Sequence, residues 1–205
     1  MEPQLRGLVL AGGRSSRMGS DKAALLVDGR TLLTRSVELL KSLTIHVHVA
    51  VRAEQADDQL RRQFDLLFDA VPAQGPAAAL VAAWLHDPDA AWLVLACDMP
   101  ALERNALEAL VSGRDPSRGG TAWRTPDDDL PEPLCAIWEP ATLARLTAAV
   151  RQAATGSGSG PVSPRAILAA ADPLLLNQAR PAVLTSLNTP ADLHDYLELR
   201  DGHTP

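Results

Sequence analysis

The sequence is poor in aromatic residues and in cysteine, and each shortage narrows the classes of protein that it fits. Aromatic side chains make up 3% of the 205 residues, so a row of aromatic platforms for single-stranded nucleic acid is not expected. Cys97 and Cys135 lie far apart in apolar segments and form no CxxC pair, which argues against zinc binding and thioredoxin-like chemistry. We expect two buried, inert thiols in a reducing compartment.

Long apolar segments and an excess of basic residues are missing as well. No apolar segment approaches the ~20 residues of a membrane-spanning helix, and the N-terminus lacks the apolar core of a secretion signal. Acidic residues outnumber basic ones 25 to 19, which gives a net charge of −6 and makes a nucleic-acid polymer an unfavourable partner. The sequence predicts a cytoplasmic protein that binds neither membrane nor nucleic acid.

What the sequence does contain is an alternation of short apolar segments with helical patterns. Predicted strands cover residues 5–11, 45–51, 66–68, 92–96, 121–124, 134–138 and 182–185. Predicted helices cover residues 31–43, 54–63, 77–85, 103–111, 140–153, 165–171 and 190–200. An exposed loop over 125–133 and a flexible segment over 155–164 complete the pattern, which is typical of a single α/β domain with a mostly parallel sheet.

A glycine-containing loop follows the first predicted strand and reads LAGGRSSRMGSDK over residues 10–22. Gly12 and Gly13 have no side chain, so their backbone N–H groups can approach a phosphate closely and form an anion nest. The loop also carries three cations suited to phosphate groups, Arg14, Arg17 and Lys22. Its spacing matches neither GxGxxG nor GxxxxGK[ST], so it indicates a different kind of phosphate site, with a solvated turn as the alternative.

Two aspartates end predicted strands of the same sheet. Asp98 follows residues 92–96, and a single carboxylate beside a phosphate loop suits Mg²⁺, which fills its shell with water and phosphate oxygens. Asp69 ends residues 66–68, and Gly75 then opens a helix whose N-terminus can accept an anion. The alternatives are a capping aspartate at Asp98 and a tight turn at Gly75. His46 and His48 alternate on one strand, and we expect both to face solvent.

Taken together, these motifs resemble the molybdenum cofactor guanylyltransferases (MobA-type) of the nucleotidyltransferase superfamily. The family's opening signature, approximately LAGGxSxRMGxDKAL, stands here as LAGGRSSRMGSDKAAL over residues 10–25. Further motifs follow in order along nearly the whole chain, namely GPAAAL at 75–80, CDMP at 97–100, EPLCAIW at 132–138, SPRAIL at 163–168 and NTPADL at 188–193.

The resemblance implies a Rossmann-like, three-layer nucleotidyltransferase fold that binds GTP and Mg²⁺. The implied reaction transfers GMP from GTP to the phosphate of molybdopterin and releases pyrophosphate. Residues 1–112 would then form the nucleotide-binding half of the domain, and residues 113–205 the acceptor-binding half. The resemblance also implies transient contact with proteins that deliver the molybdenum cofactor or accept the product.

The same resemblance assigns roles to individual residues. Lys22, Arg17 and Asp98 are the implied catalytic residues, and Asp98 is the implied metal ligand. The implied nucleotide-binding residues are Leu10, Ala11, Gly12, Gly13, Lys22, Asp69, Gly75, Asp98 and Asn188. Two positions depart from the family pattern, because Ala79 replaces a frequent glycine and Ser186 replaces a frequent asparagine. The base and the acceptor therefore stay open. The alternatives are a related nucleotidyltransferase with another base or acceptor, such as a molybdenum cofactor cytidylyltransferase, and a non-catalytic paralogue.

Overall fold

A mostly parallel β-sheet forms the centre of the fold. The computed structural model describes residues 2–13, 18–72, 74–156, 160–178 and 181–201. In this part of the chain the central sheet has seven strands, β1 (Leu5–Leu10), β4 (Val47–Val51), β5 (Asp65–Phe68), β6 (Ala91–Ala96), β7 (Gly120–Arg124), β8 (Pro131–Trp138) and β9 (Leu174–Leu176). The order across the sheet is β5-β4-β1-β6-β8-β7-β9, and β8 runs antiparallel to both of its neighbours. A separate hairpin joins β2 (Leu26–Val27) and β3 (Arg30–Thr31).

Helices cover both faces of the sheet and make the fold three-layered. The helices are α1 (Leu32–Lys41), α2 (Pro76–His86), α3 (Arg104–Ser112), α4 (Pro140–Ala154), α5 (Pro164–Ala169) and α6 (Pro190–Asp201). Because successive strand residues point to opposite faces, Val9 packs in the cluster with α1 and α3, whereas Leu8 packs in the cluster with α2, α4 and α5. This architecture confirms the predicted α/β fold with a mostly parallel sheet.

A third, smaller apolar cluster attaches the C-terminal helix next to the glycine-containing loop. Met18, Val27, Leu32 and Leu187 are buried together, and Tyr196 of α6 packs against them. The Tyr196 hydroxyl also donates a hydrogen bond to the Pro100 carbonyl over 3.3 Å. The cluster therefore brings the closing NTPADL segment beside the chain that follows β1.

One predicted helix and one predicted strand are wrong. The expected helix over 54–63 is replaced by two short 3₁₀ turns, Ala53–Gln55 and Arg61–Gln63, because the Asp58 carboxylate accepts the Arg61 amide over 2.9 Å. The expected strand over 182–185 is instead part of a 3₁₀ turn, Pro181–Leu184. The last strand of the sheet is β9, which pairs with β7.

His48 does not face solvent as the sequence suggested. Its side chain is buried, with its ring centroid 4.5 Å from that of His86 and 5.6 Å from that of Trp92. The alternating pattern identified the strand but not the covered face, because α2 ends over the start of β4 and β6. His46 is exposed as expected and lies 2.9 Å from Asp65. No helix in the described ranges is long and apolar enough to cross a membrane.

Candidate active site

The carboxyl ends of the parallel strands meet at one edge of the sheet, where open α/β sheets place their ligands. The Cys97 amide donates to the Leu10 carbonyl over 3.3 Å, so the end of β6 lies against the end of β1. The Asp69 amide donates to the Val51 carbonyl over 2.9 Å, which extends the same edge across β4 and β5. Leu10, Asp69 and Asp98 therefore share this edge, as their strand-end positions predicted.

Lys22 is the point where three segments distant in sequence meet. Its Nζ lies 2.9 Å from Asp98 Oδ2 and 2.8 Å from Asn188 Oδ1. Lys22 begins a 3₁₀ turn, Lys22–Ala24, after the glycine-containing loop, Asp98 follows β6, and Asn188 precedes α6. The structure thus brings together Lys22, Asp98 and Asn188, three residues that the resemblance assigned to one site.

Asn188 is held in place by the start of α6. The Asp192 carboxylate accepts the Asn188 amide over 2.6 Å and the Thr189 amide over 2.9 Å, and Thr189 Oγ1 accepts the Asp192 amide over 3.2 Å. This reciprocal arrangement is a capping box that satisfies the first N–H groups of a helix. The Leu187 amide also donates to the Asp98 carbonyl over 2.8 Å, which joins the segment directly to β6.

The first residues of the glycine-containing loop are fixed by backbone contacts and by two arginines. The Ala11 amide donates to the Ala50 carbonyl over 3.0 Å, and Arg61 donates to the Ala11 carbonyl through Nε and Nη2 over 3.1 and 2.9 Å. Arg52 Nε donates to the Gly12 carbonyl over 2.7 Å. In the described part of the chain, a Cβ built on Gly13 meets no atom within 4 Å, so this position opens onto free space.

Asp69 and Gly75 lie on the β5 side of the edge. Burial raises the pKa of the Asp69 carboxyl to about 6, with Arg52 opposing the rise and Glu54 adding to it. Gly75 caps α2 with φ 53° and ψ −134°, a conformation that glycine adopts far more readily than other residues. Among the described residues, no hydrogen bond or ion pair joins Gly75 to Asp98 or Asn188. Arg14 and Arg17, which were expected to contact phosphates, lie outside the described residues.

Glu132 is a site residue to which the motifs gave no separate role. Leu95 pairs with Cys135 across β6 and β8. When this register is extended by three residues along each strand, Glu132 lies opposite Asp98. Its carboxylate accepts the Leu134 amide over 3.0 Å and a hydrogen bond from Arg165 Nη2 over 3.3 Å. Burial raises the pKa of Glu132, Arg165 opposes the rise, and the charge of Asp98 adds to it. The exposed loop predicted over 125–133 is wrong for its last three residues, because β8 already begins at Pro131. The EPLCAIW motif, which begins at Glu132, was the available signal.

Arg52 and Arg61 were also missed by the sequence reasoning. Arg52 follows β4 at the same edge as Asp69 and Asp98, so the argument from strand ends applies to it equally. Arg61 sits in a polar segment that gave no signal, because its side chain acts only through contacts made in the folded chain.

This fold and this edge define a nucleotidyltransferase-like α/β protein. The structure of the molybdopterin-guanine dinucleotide biosynthesis protein A from Archaeoglobus fulgidus superposes with a TM-score of 0.74 at 21% identity, over 96% of this chain and 99% of that one. That similarity confirms the three-layer fold predicted from the sequence.

Residues 7–174 match the model of the MobA-like NTP transferase domain, and the chain belongs to that family. A relative from Rhodopirellula baltica named "Probable molybdenum cofactor guanylyltransferase" is 37% identical over 150 residues, 69% of this chain and 71% of its own. A "Molybdenum cofactor biosynthesis bifunctional protein" from Synechocystis is 28% identical over 92% of this chain. The chain spans 52% of the length of that bifunctional protein.

Proposed function

We propose that this protein transfers GMP from GTP to molybdopterin, or to the molybdenum cofactor, with release of pyrophosphate. The observation that carries the proposal is the convergence of Lys22, Asp98 and Asn188 at the carboxyl edge of the sheet, directly after the glycine-containing loop. The names of its relatives support the choice of GTP and molybdopterin as substrates. We place this activity in the cytoplasm, in line with the two buried thiols, Cys97 and Cys135.

The donor atoms around Lys22 fit a magnesium ion. A carboxylate oxygen of Asp98 and a carboxamide oxygen of Asn188 both lie within 3 Å of one cationic atom, Lys22 Nζ. Oxygen ligands of these two kinds are the ones that Mg²⁺ prefers. In the proposal Asp98 holds Mg²⁺ and Asn188 lies beside it, and the ion neutralises charge on the phosphate oxygens when it is bound.

The chemistry that we propose requires little covalent work of the protein. An oxygen of the acceptor phosphate forms a bond to the α-phosphorus of GTP, and the bond from that phosphorus to the oxygen bridging to the β-phosphate breaks. Lys22 then contacts the α-phosphate, and Arg17 contacts the departing pyrophosphate. The acceptor oxygen is already ionised at neutral pH, so positioning and charge neutralisation supply most of the rate.

Calorimetric titration with GTP, CTP, ATP and UTP, each with Mg²⁺, tests the nucleotide assignment. We expect GTP to bind more tightly than the other three, and Asp98→Ala to weaken GTP binding by about tenfold or more because a charged contact is lost. Asp87→Ala is the matched control, since Asp87 pairs with Arg6 at the opposite edge of the sheet. Pyrophosphate release on addition of molybdopterin then tests the acceptor.

Each alternative has its own outcome in this titration. A preference for CTP makes the protein a cytidylyltransferase, and Ala79 is the residue to examine, because its methyl group is buried in α2 where the family often has glycine. Failure to bind any of the four nucleotides makes a non-catalytic paralogue the better description. If Asp87→Ala and Asp98→Ala lose the same amount of GTP affinity, the assignment of Asp98 as the metal ligand is wrong.

A further inference from the structure

Arg61 is a buried arginine whose side chain donates four hydrogen bonds and makes one further ion pair. Its side chain is 1% exposed. Nε and Nη2 donate to the Ala11 carbonyl, Nη1 and Nη2 donate to Asp21 Oδ2 and Oδ1 over 2.6 and 2.9 Å, and Nη1 lies 3.2 Å from Asp58 Oδ1. A guanidinium group has five N–H donors in a fixed plane, and four of them donate in these hydrogen bonds.

The acceptors of Arg61 stand at the two ends of the glycine-containing loop. Ala11 is the first residue after β1, and Asp21 is the residue immediately before Lys22. One planar group therefore fixes the separation between the start and the end of the segment 12–20. Closing a loop costs conformational entropy, and a rigid bridge between its ends removes that cost before a ligand arrives.

The same bridge orients the turn that carries Lys22. Asp21 Oδ1, which Arg61 contacts, also accepts the Ala23 amide over 3.1 Å, and the Asp21 carbonyl accepts the Ala24 amide over 3.1 Å. These two bonds begin the 3₁₀ turn Lys22–Ala24. The position of Lys22 relative to Asp98 thus depends on the conformation of Asp21, which Arg61 holds.

Burial by itself would lower the pKa of Arg61, but hydrogen bonds and charge from Asp21 and then Asp58 raise it above the ordinary arginine value. The group therefore stays charged at neutral pH. A lysine at this position has one charged nitrogen and cannot reach both acceptors in the same plane.

We propose that Arg61 is a positioning residue of the glycine-containing loop. Its side chain joins Ala11 to Asp21 and thereby holds Lys22 where the nucleotide phosphates bind. This inference rests on the proposed function for the identity of the nucleotide, although the bridge itself is independent of it. Arg61 contacts no substrate in this assignment and acts only through the loop.

Two measurements on Arg61→Gln test the proposal. The first is hydrogen exchange of the Ala23 and Ala24 amides in the nucleotide-free protein, which we expect to accelerate at least tenfold when the bridge is lost. The second is turnover of GTP with molybdopterin and Mg²⁺, where we expect kcat to fall about 100-fold, as displacement of a catalytic group by about 1 Å produces. Arg61→Lys should restore little of either quantity, and Asp21→Asn should reproduce both effects.

Arg114→Gln is the matched control. The side chain of Arg114 is also largely covered, at 8% exposed, and it binds Glu139 through Nε and Nη2 over 2.7 and 3.0 Å at the opposite edge of the sheet. A purely structural role for Arg61 predicts equal effects of Arg61→Gln and Arg114→Gln on turnover at equal losses of melting temperature. If Arg61→Gln does not fold, Asp21→Asn and Arg61→Lys provide the same comparison.

The outcomes separate this proposal from the proposed function. Unchanged amide exchange and unchanged kcat in Arg61→Gln would overturn the positioning role. Faster exchange in Arg61→Gln but not in Arg114→Gln supports the bridge even if the wild-type protein binds a nucleotide other than GTP. In that case turnover is measured with the nucleotide that binds. The assignment of GTP as the substrate is then wrong, and the positioning role of Arg61 stands.

Discussion

At the scale of single residues, Lys22 carries the most specific prediction about turnover. We expect Lys22→Ala to lower kcat by about 10²- to 10³-fold, the usual cost of losing one group that stabilises developing charge. GTP affinity should change by less than about tenfold, since Asp98, Arg17 and the loop amides still contribute to binding. Lys41→Ala replaces the other lysine of the sequence, exposed at the end of α1, and should leave both quantities unchanged. Comparable losses in kcat and in affinity would remove the special role of Lys22 in the transition state.

Asp69 carries a prediction about pH, because its pKa is raised to about 6, mainly by burial. A carboxyl with a folded pKa above its unfolded value of 3.8 contributes stability at low pH, and this contribution is lost as the pH rises through about 6. Asp69→Asn should therefore gain stability relative to the wild type between pH 4 and pH 7, by about 1–2 kcal/mol after allowance for partial exposure.

Thermal unfolding of Asp69→Asn and wild type at several pH values measures this difference. Asp89→Asn, a change at an exposed carboxyl, is the control and should follow the wild type throughout. If Asp69 also contacts the nucleotide, as the resemblance implies, the more stable variant should bind GTP less tightly. A stability difference that does not vary with pH would contradict the raised pKa.

At the scale of elements, one glycine serves the function of a loop and another serves the packing of the segment just before β7. A Cβ on Gly119 would lie 2.1 Å from the Ala171 carbonyl oxygen, whereas one on Gly13 meets no described atom within 4 Å. We expect Gly119→Ala to destabilise the fold by about 1–3 kcal/mol through overpacking. Gly13→Ala should change stability by less than about 0.5 kcal/mol but weaken GTP binding, because its methyl group would occupy the phosphate position.

Denaturant unfolding and nucleotide titration of the two variants provide the check. Loss of stability in Gly13→Ala would mean that the glycine serves the loop conformation itself. Full GTP affinity in a stable Gly13→Ala protein would place the phosphates elsewhere.

Most elements were predicted from the sequence because their side chains repeat with the period of a strand or a helix. The strands before Gly12, Asp69 and Asp98 were predicted within one or two residues of their observed ends. The residues that follow these strands were therefore located correctly as well. The segment 54–63 was wrong because its polar residues have no period to read. Its conformation depends on the local bond between Asp58 and Arg61, and on the contacts of Arg61 with Ala11 and Asp21 elsewhere in the chain.

At the scale of the whole molecule, His48 at the edge of the sheet opposite the site makes the free energy of unfolding depend on pH. Burial lowers the pKa of His48 to about 4, with the charges of His86, His46 and Arg6 adding to the decrease and Asp65 opposing it. The folded protein binds this proton less readily than the unfolded chain, whose histidine has a pKa of 6.5. The stability that the neutral ring contributes is present above about pH 6.5 and is lost as the pH falls towards 4.

We expect wild type to lose up to about 3 kcal/mol relative to His48→Leu between pH 6.5 and pH 4, the free energy that corresponds to the pKa difference. Melting temperatures across this range measure the loss, and His194→Gln is the control because that side chain is 71% exposed. Effects of Asp69 are common to all three proteins and cancel in the comparison. Parallel pH profiles for wild type and His48→Leu would show that the burial of His48 is not maintained in solution.

The sequence by itself determined the parts of this protein that local chemistry specifies. The glycines at 12 and 13, the cations beside them and the strand-ending aspartates predicted a phosphate and metal site, and the family signature predicted its class. Only the tertiary structure decided which groups meet, because a contact between residues 76 or 166 positions apart leaves no periodic trace. It placed Asn188 against Lys22, and it made Arg61 the bridge between the two ends of the loop. The same holds for His48, whose burial depends on where α2 ends rather than on its own strand.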